Sequence, residues 1–304
     1  MHRSGLSFRT AAEFLAARVF RIYPAIIATV LLFTLWYFAT GRSIGLPGND
    51  LQTVLLNMSL LAVHMNGVMW TMQVELIAIP VVLFAFALGR INIFLILALA
   101  VALLGASYYD WYLNLVPAPG GIPRPKYLYV FVLGVAVFFS GGWLADRVNS
   151  TLLMVFGCFV FFAANIDISP AYWREHANYQ HIIEVVAAAL MVAALAYGRP
   201  SIFSRILTTA PLRWLGRVSY SFYLLHALTL TVVWKMPEFL GGMVESGVPL
   251  SVLVLALWFS TTAVTLPLAL LCYHWVEKPG VRLGRRLVTV LSGRSRTDPS
   301  PVLQ

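Results

Sequence analysis

The stretch VMWTMQVELIAIPVVLFAFALG, residues 68–89, decides the fold class of this chain. It is long and apolar enough for one helix to cross a hydrocarbon core of roughly 30 Å, which takes about 20 residues. Glu75 is its only charged residue. Because a carboxyl in lipid is costly unless a partner or a hydrated cavity receives it, Glu75 predicts a site inside a membrane-spanning helix.

The composition supports the same fold class along the whole chain. Hydrophobic residues make up 60% and charged residues 11% of the sequence, and the mean hydropathy is +0.81. So little polar surface excludes a soluble globular protein and predicts an all-α, polytopic transmembrane helix bundle. We expect about eight spans, at residues 22–40, 69–89, 91–109, 127–145, 150–166, 180–198, 218–236 and 250–275.

The basic residues predict the orientation, because lysine and arginine collect in short cytoplasmic loops. With the N-terminus inside, sixteen of the 21 basic residues lie on the cytoplasmic side, so both termini are predicted cytoplasmic. The apolar run 51–63 is short for a span, and crossing there would nearly abolish this asymmetry. We therefore interpret it as an interfacial or re-entrant helix.

The same reasoning divides the chain into three parts. Residues 1–21 form a cytoplasmic basic segment, 22–278 the transmembrane domain, and 279–304 a basic, partly disordered cytoplasmic tail. The net charge of +9 then reflects topology and contact with membrane lipid rather than nucleic-acid binding. Cys158 and Cys272 fall inside predicted spans, so we expect packing residues, with no disulfide and no metal site.

Arg18 and Arg21 stand at the cytoplasmic entrance of the first span, three residues apart on neighbouring parts of one helix face. Guanidinium groups stay charged and offer bidentate donors, so this pair could clasp a phosphate or pyrophosphate. The alternative is that both arginines only anchor the helix end among lipid headgroups.

Thr71 and Glu75 lie four residues apart at the outer end of the second predicted span, close to Trp70. The threonine hydroxyl could help to solvate the carboxyl, and Pro80 would bend the helix one turn deeper, which predicts a kinked and partly hydrated pocket. The alternative is a structural pair between Glu75 and a basic residue of another span.

Ser219, Tyr223 and His226 follow one stripe of the seventh predicted span, which we expect to face the bundle interior. A functional imidazole and a hydrogen-bonded scaffolding histidine both remain open for His226. Two weaker pairs, His181 with Glu184 and His274 with Glu277, are interpreted as local pairing near the membrane interfaces.

Four ordered motifs resemble those of membrane-bound acyltransferase family 3, which includes bacterial O-acetylases of envelope glycans and antibiotic sugars. They are RVFRIYP (18–24), WTMQVE (70–75), LGRVSYSFYLLH (215–226) and WVEKP (275–279). Thr71 and Met72 replace the serine and leucine usual in the second motif. The match extends from residue 7 to about residue 285 and so covers nearly the entire chain.

The resemblance implies transfer of an acyl group, such as acetyl, from cytoplasmic acyl-CoA to a carbohydrate hydroxyl, in the inner (plasma) membrane. Arg18 and Arg21 would then meet the CoA phosphates, and no bound cofactor is expected. Acyl transfer needs a base and stabilisation of the oxyanion, and Glu75 and His226 are the candidate catalytic residues. The predicted lining residues of the transfer channel are Trp70, Thr71, Ser219, Tyr220 and Tyr223.

Relatives of this kind typically have ten spans, and the first carries a histidine thought to be essential. The present sequence begins at what corresponds to the loop before the third span, and eight spans agree with that start. We therefore expect this form to be inactive or impaired, whether through a misplaced start codon, a truncated gene or a genuinely short member. A carrier or partner for export of lipid-linked glycans is the alternative function, because intramembrane Glu and His also suit proton-coupled transport.

Overall fold

A computed structural model describes residues 8–41, 50–108, 127–165, 170–234 and 247–292, and these residues form helices and short connections without any strand. The predicted disordered end, 292–304, lies almost entirely outside them. The helices are α1 (Phe8–Thr40), α2 (Leu51–Met58), α3 (Trp70–Ile91), α4 (Ile93–Tyr108), α5 (Leu128–Arg147), α6 (Ser150–Asn165), α7 (Pro170–Tyr197), α8 (Ile202–Leu207), α9 (Ala210–Trp234), α10 (Leu250–Cys272) and α11 (Lys278–Ser292).

The all-helical membrane fold class is confirmed. Within the described residues, five helices are long and apolar enough to cross a bilayer, and two shorter apolar helices accompany them. The five are Ala11–Thr40, Gly67–Ile91, Leu128–Arg147, Gln180–Tyr197 and Ser251–Val290, and the shorter two are Ile93–Ser107 and Ser150–Asn165. Seven of the eight predicted spans lie on these helices. The eighth, 218–236, lies on α9, which begins with a more polar turn containing Arg213 and Arg217.

The chain divides into two compact units. One division lies within α3, between Gln73 and Val74, and another lies within α9, between Trp214 and Leu215. The first unit contains α1, α2, the start of α3, most of α9, and α10 and α11. In this unit α11 packs against α1. A Cβ at Gly284 would lie 2.5 Å from Cβ of Phe20, and one at Gly280 would lie 2.6 Å from Cγ of Pro24. The glycines therefore allow the two helices to approach closely.

A π-helical turn, Tyr273–Glu277, joins α10 to α11 in one helix from Ser251 to Val290. Its 40 residues extend about 60 Å at 1.5 Å per residue, twice the roughly 30 Å of a hydrocarbon core. Its charged end, α11, must therefore lie outside the hydrocarbon region. The tail 279–304 was predicted to be partly disordered. Its residues up to Ser292 belong to α11, which packs on α1.

Helix α2 is too short to cross a membrane, as expected for the run 51–63. Asp50 caps it by accepting a hydrogen bond from the Thr53 amide. Hydrogen bonds from the Thr53 side chain and then from its amide lower the pKa of Asp50. Leu60 then turns the chain with φ of +60°, a left-handed conformation that costs a leucine about 1 kcal/mol or more. The Leu60 carbonyl accepts a hydrogen bond from the side-chain amide Nε2 of the buried Gln73 at 2.8 Å. The Gln73 bond joins the turn after α2 to the start of α3.

The second unit contains α3 from Val74 onward, α4 to α8 and the start of α9. Small and branched residues of α3, α4 and α5 form one buried cluster around Ala85, Ile96 and Val132. Helix α7 packs against both α5 and α6, and the Tyr197 hydroxyl donates to the Phe138 carbonyl at 3.0 Å. Side chains thus interlock these helices within the unit.

Gly198, which follows α7, occupies a position with no room for a side chain. A Cβ there would lie 2.2 Å from the Ala194 carbonyl oxygen and 2.3 Å from Ser150 Oγ, which accepts a hydrogen bond from the Arg199 amide. Gly198→Ala should therefore destabilise the protein by about 1–3 kcal/mol, as overpacking does. Thermal unfolding in detergent would measure this, with Gly105→Ala, where the added methyl meets open space, as the control. Equal Tm values for the two variants would contradict the prediction.

Candidate functional site

A cation-rich cavity of about 560 Å³ lies in the first unit, between α1, the start of α9 and the α10–α11 junction. Its basic residues are Arg21, Arg217, Lys278, Arg282 and Arg285. Ala17, Gly216, Tyr220, Tyr273, Glu277 and Val281 complete the lining. Five cations around one small cavity outnumber the single carboxyl in its lining, that of Glu277, so the arrangement favours a ligand with several negative charges.

Glu277 is the acidic residue in the wall of this cavity, and only 6% of it is exposed. The hydroxyl of the fully buried Ser221 donates to its Oε2 at 2.7 Å, and Arg21 is close enough to interact with its charge. Glu277 ends the π-helical turn, a distortion that is frequent at functional sites. The bond ties this turn to the middle of α9.

Local pairing of His274 with Glu277 was a wrong prediction. The π-helical turn directs Glu277 toward Ser221, whereas the exposed His274 stacks edge-on against the Tyr273 ring. The other predicted pair is confirmed, with His181 Nδ1 2.9 Å from Glu184 Oε2.

Replacement of Glu277 should show how much this buried bond contributes. Glu277→Ala leaves the Ser221 hydroxyl without its acceptor, so we expect a loss of about 1–3 kcal/mol in unfolding free energy. Glu277→Gln keeps an acceptor oxygen and should lose less. Glu184→Ala, which removes a partner of the more exposed His181 pair, serves as the control. Equally mild effects of alanine and glutamine at 277 would show that the bond is unimportant for stability.

Of the predicted pair Arg18 and Arg21, Arg21 is the one that lines the cavity. Arg21 is exposed and lines the cavity, together with Ala17 one turn earlier. The Arg18 guanidinium instead lies 5.3 Å from the centre of the Phe14 ring. The basic residues that share the cavity with Arg21 lie on α9 and α11.

Thr71 and Tyr223 meet at the start of α3. The Tyr223 hydroxyl donates to the Val68 carbonyl at 3.0 Å, and Thr71 Oγ1 lies 3.1 Å from the Tyr223 hydroxyl. Close by, the buried Asn66 amide donates to the Leu224 carbonyl at 3.0 Å. These bonds attach the start of α3 to the middle of α9. The Thr71 hydroxyl is thus engaged by Tyr223 and Val68.

His226 has one ring nitrogen fixed by its own helix, because Nδ1 is hydrogen-bonded to the Tyr223 carbonyl oxygen. A carbonyl only accepts hydrogen bonds, so Nδ1 must carry the proton in the neutral ring. Nε2 then keeps its lone pair and can accept a proton. The half-buried ring lines an apolar groove of about 700 Å³ between α9 and α10.

The predicted stripe of Ser219, Tyr223 and His226 does not face the bundle interior as a whole. Ser219 is exposed, lines the groove beside His226, and donates to the Gly216 carbonyl of its own helix. Tyr223 points to the start of α3. The reason is geometric. Side chains three or four residues apart differ by tens of degrees in direction around a helix, so they can contact different neighbouring helices.

The remaining predicted residues occupy separate positions. The Tyr220 hydroxyl donates to the Ile22 carbonyl at 2.9 Å, which joins α9 to α1, and its side chain lines the cation-rich cavity. Trp70 is half-buried as the first residue of α3. Glu75 is half-buried on α3 and belongs to the second unit. Both cysteines are free thiols.

The sequence prediction missed most of the basic residues of the cavity. Arg217, Lys278, Arg282 and Arg285 were assigned only to topology, although Lys278, Arg282 and Arg285 follow at intervals of four and three residues. That spacing places them on one face of a helix and could have suggested a site. Nothing in the sequence placed Arg217 beside them.

Comparison with known proteins gives one result. The family described as "Acyltransferase domain" matches residues 3–274, which is most of the chain. No curated protein and no solved structure gives a significant match.

Proposed function

We propose a function from the premise that this chain belongs to acyltransferase family 3, as the match over residues 3–274 shows. Together with its apolar helices, this membership indicates a membrane acyltransferase. We infer that the acyl donor is acyl-CoA, such as acetyl-CoA, and that the acceptor is a hydroxyl of an envelope or secreted glycan. The enzyme would act in the inner (plasma) membrane.

The observation that carries the proposal is the cation-rich cavity. Coenzyme A has a diphosphate and a separate phosphomonoester, so it needs several positive groups at different positions. Arg21 on α1, Arg217 on α9, and Lys278, Arg282 and Arg285 on α11 surround one cavity of about 560 Å³. Arginine suits phosphate because its fork offers parallel donors, and lysine adds a point charge.

The position of the cavity agrees with a cytoplasmic donor. α11 must lie outside the hydrocarbon region, as its continuity with α10 requires, and it supplies three of the five cations. The basic loops favour the cytoplasm for that side. Phosphates held there would remain in the headgroup and water region, where their charge is tolerated.

Glu277 fits this donor site as a fixed counter-charge. Its carboxyl accepts a hydrogen bond from Ser221, and Arg21 is close enough for the two charges to interact. A preformed arrangement reduces the ordering cost of binding.

The reacting end of the donor would lie apart from the phosphates, because the pantetheine arm separates the thioester from the nucleotide. His226 is the proposed base. Its Nε2 takes the proton from the attacking hydroxyl as the oxygen forms a bond to the thioester carbon. The carbon–sulfur bond then breaks, and the imidazolium returns the proton to the departing thiolate. The acyl group ends on the acceptor oxygen, and free CoA leaves.

Other predicted residues retain their roles within this proposal. Glu75 is the second candidate base. Of the proposed lining of the transfer channel, Tyr220 lies in the cation-rich cavity and Ser219 in the groove beside His226. Trp70, Thr71 and Tyr223 are proposed to line the channel at the start of α3. The hydrogen bonds among Thr71, Tyr223 and Val68 would keep that part of the lining rigid.

The test begins with the full chain purified in lipid nanodiscs and titrated with acetyl-CoA by calorimetry. If phosphate recognition dominates, CoA should compete well, 3′-dephospho-CoA less well and pantetheine hardly at all. Equal competition by pantetheine would overturn the assignment of the cavity. CoA release on addition of candidate glycans then measures transfer, whereas CoA-independent movement of a lipid-linked sugar in vesicles would support a carrier instead.

A further inference from the structure

Helix α11 has three distinct faces, and contacts or cavity lining among the described residues involve two of them. Gly280, Gly284 and Val288 are buried, and both glycines contact α1. A second face carries the cations of the donor cavity. The third face exposes an apolar stripe at intervals of four and three residues, formed by Leu283, Leu287 and Val290.

The exposed stripe is bordered by basic residues. Leu283 is 55% and Val290 77% exposed, and both are large apolar residues. Arg282 and Arg286 are also exposed, and Arg286 does not line the donor cavity. Trp275, in the preceding π-helical turn, is 76% exposed. Basic and apolar residues on one exposed helix face, with tryptophan nearby, are typical of helices that lie at a membrane surface.

The position of α11 in the chain limits what can cover this face. It continues directly from α10, so it emerges from the hydrocarbon core next to the lipid headgroups of one leaflet. A second copy of the chain is a poorer partner, because a two-fold contact through this face would bring its own arginines together.

We propose that the face formed by Leu283, Arg286, Leu287 and Val290 docks on anionic phospholipid of the leaflet from which α11 emerges. Arg286 binds headgroup phosphate, and the apolar stripe inserts at the boundary with the acyl chains. This interaction is separate from donor binding, since these residues are outside the cavity.

Hydrogen exchange of the α11 amides tests the proposal in the full-length protein. The chain is reconstituted in nanodiscs of phosphatidylcholine alone, or of phosphatidylcholine mixed with phosphatidylglycerol. Anionic lipid should slow exchange of α11, and Arg286→Gln should reduce that effect about fivefold, the contribution expected for one arginine near an anionic surface. High salt should weaken it in the unmodified protein.

Two further variants make the test specific. Leu283→Gln with Leu287→Gln should abolish the slowing, whereas Arg205→Gln, which removes an exposed arginine from α8, should leave it unchanged. Equal exchange in the two lipid mixtures would overturn the proposal. So would a dimer that the leucine substitutions dissociate, because the face would then bind a second copy.

Discussion

Replacement of His226 by glutamine should lower kcat for acyl transfer by about 10²–10⁴-fold, the usual contribution of a general base. Glutamine has similar polarity but accepts no proton at neutral pH. The half-buried ring lines a groove and makes its hydrogen bond to its own helix, so the fold should survive. Steady-state CoA release, measured with a saturating acceptor, checks the rate.

Donor binding separates this prediction from general damage. Because His226 is outside the cation-rich cavity, the Kd for acetyl-CoA should stay unchanged in the variant. His181→Gln, which removes the α7 histidine that pairs with Glu184, is the control and should keep the activity of the unmodified chain. Undiminished kcat in His226→Gln would leave Glu75 as the candidate base.

Removal of two cations from the cavity should weaken donor binding about 100-fold. Arg217→Gln and Lys278→Gln each delete one positive group from the lining. A charge-assisted hydrogen bond contributes about 1.5–3 kcal/mol, and 1.4 kcal/mol corresponds to tenfold in Kd. Because these groups are partly exposed, about tenfold for each is expected. Calorimetric titration with acetyl-CoA gives the Kd values, and kcat at saturating donor should change little.

A neighbouring arginine provides the matched control for this prediction. Arg286→Gln also removes one charge from α11, but its side chain is outside the cavity lining. The donor Kd of this variant should stay within about twofold, since exposed charges are largely screened at physiological salt. If Arg286→Gln weakened binding as much as Lys278→Gln, net charge rather than a defined cavity would explain the affinity.

Several features of the protein were predictable because they depend on local sequence. Runs such as 68–89 and 127–145 predict helices long enough to cross a bilayer, whatever surrounds them. Four short motifs predicted the family, which the match over residues 3–274 then showed. The pair His181 and Glu184 followed from its spacing on one helix.

Other expectations failed where helices meet. A helical stripe on α9 was predicted to face inward, yet Ser219 is exposed while Tyr223 bonds to the start of α3. Glu277 was predicted to pair with His274, but it accepts a hydrogen bond from Ser221 of α9 instead. Hydropathy cannot predict these contacts, because it is averaged over a whole helix and does not indicate which helix packs against each of its faces.

The sequence by itself determined that this is a helical membrane protein of an acyltransferase family, because apolar length and motif order are properties of the chain alone. Only the tertiary structure decided that Arg21 and Arg217, almost two hundred residues apart, share one cavity with three cations of α11. The physical reason is that several cations bind one anionic ligand together only where their side chains lie close to each other in space. Convergence depends on close packing of α11 against α1 at Gly280 and Gly284 and on the Ser221–Glu277 bond, which involve distant parts of the chain.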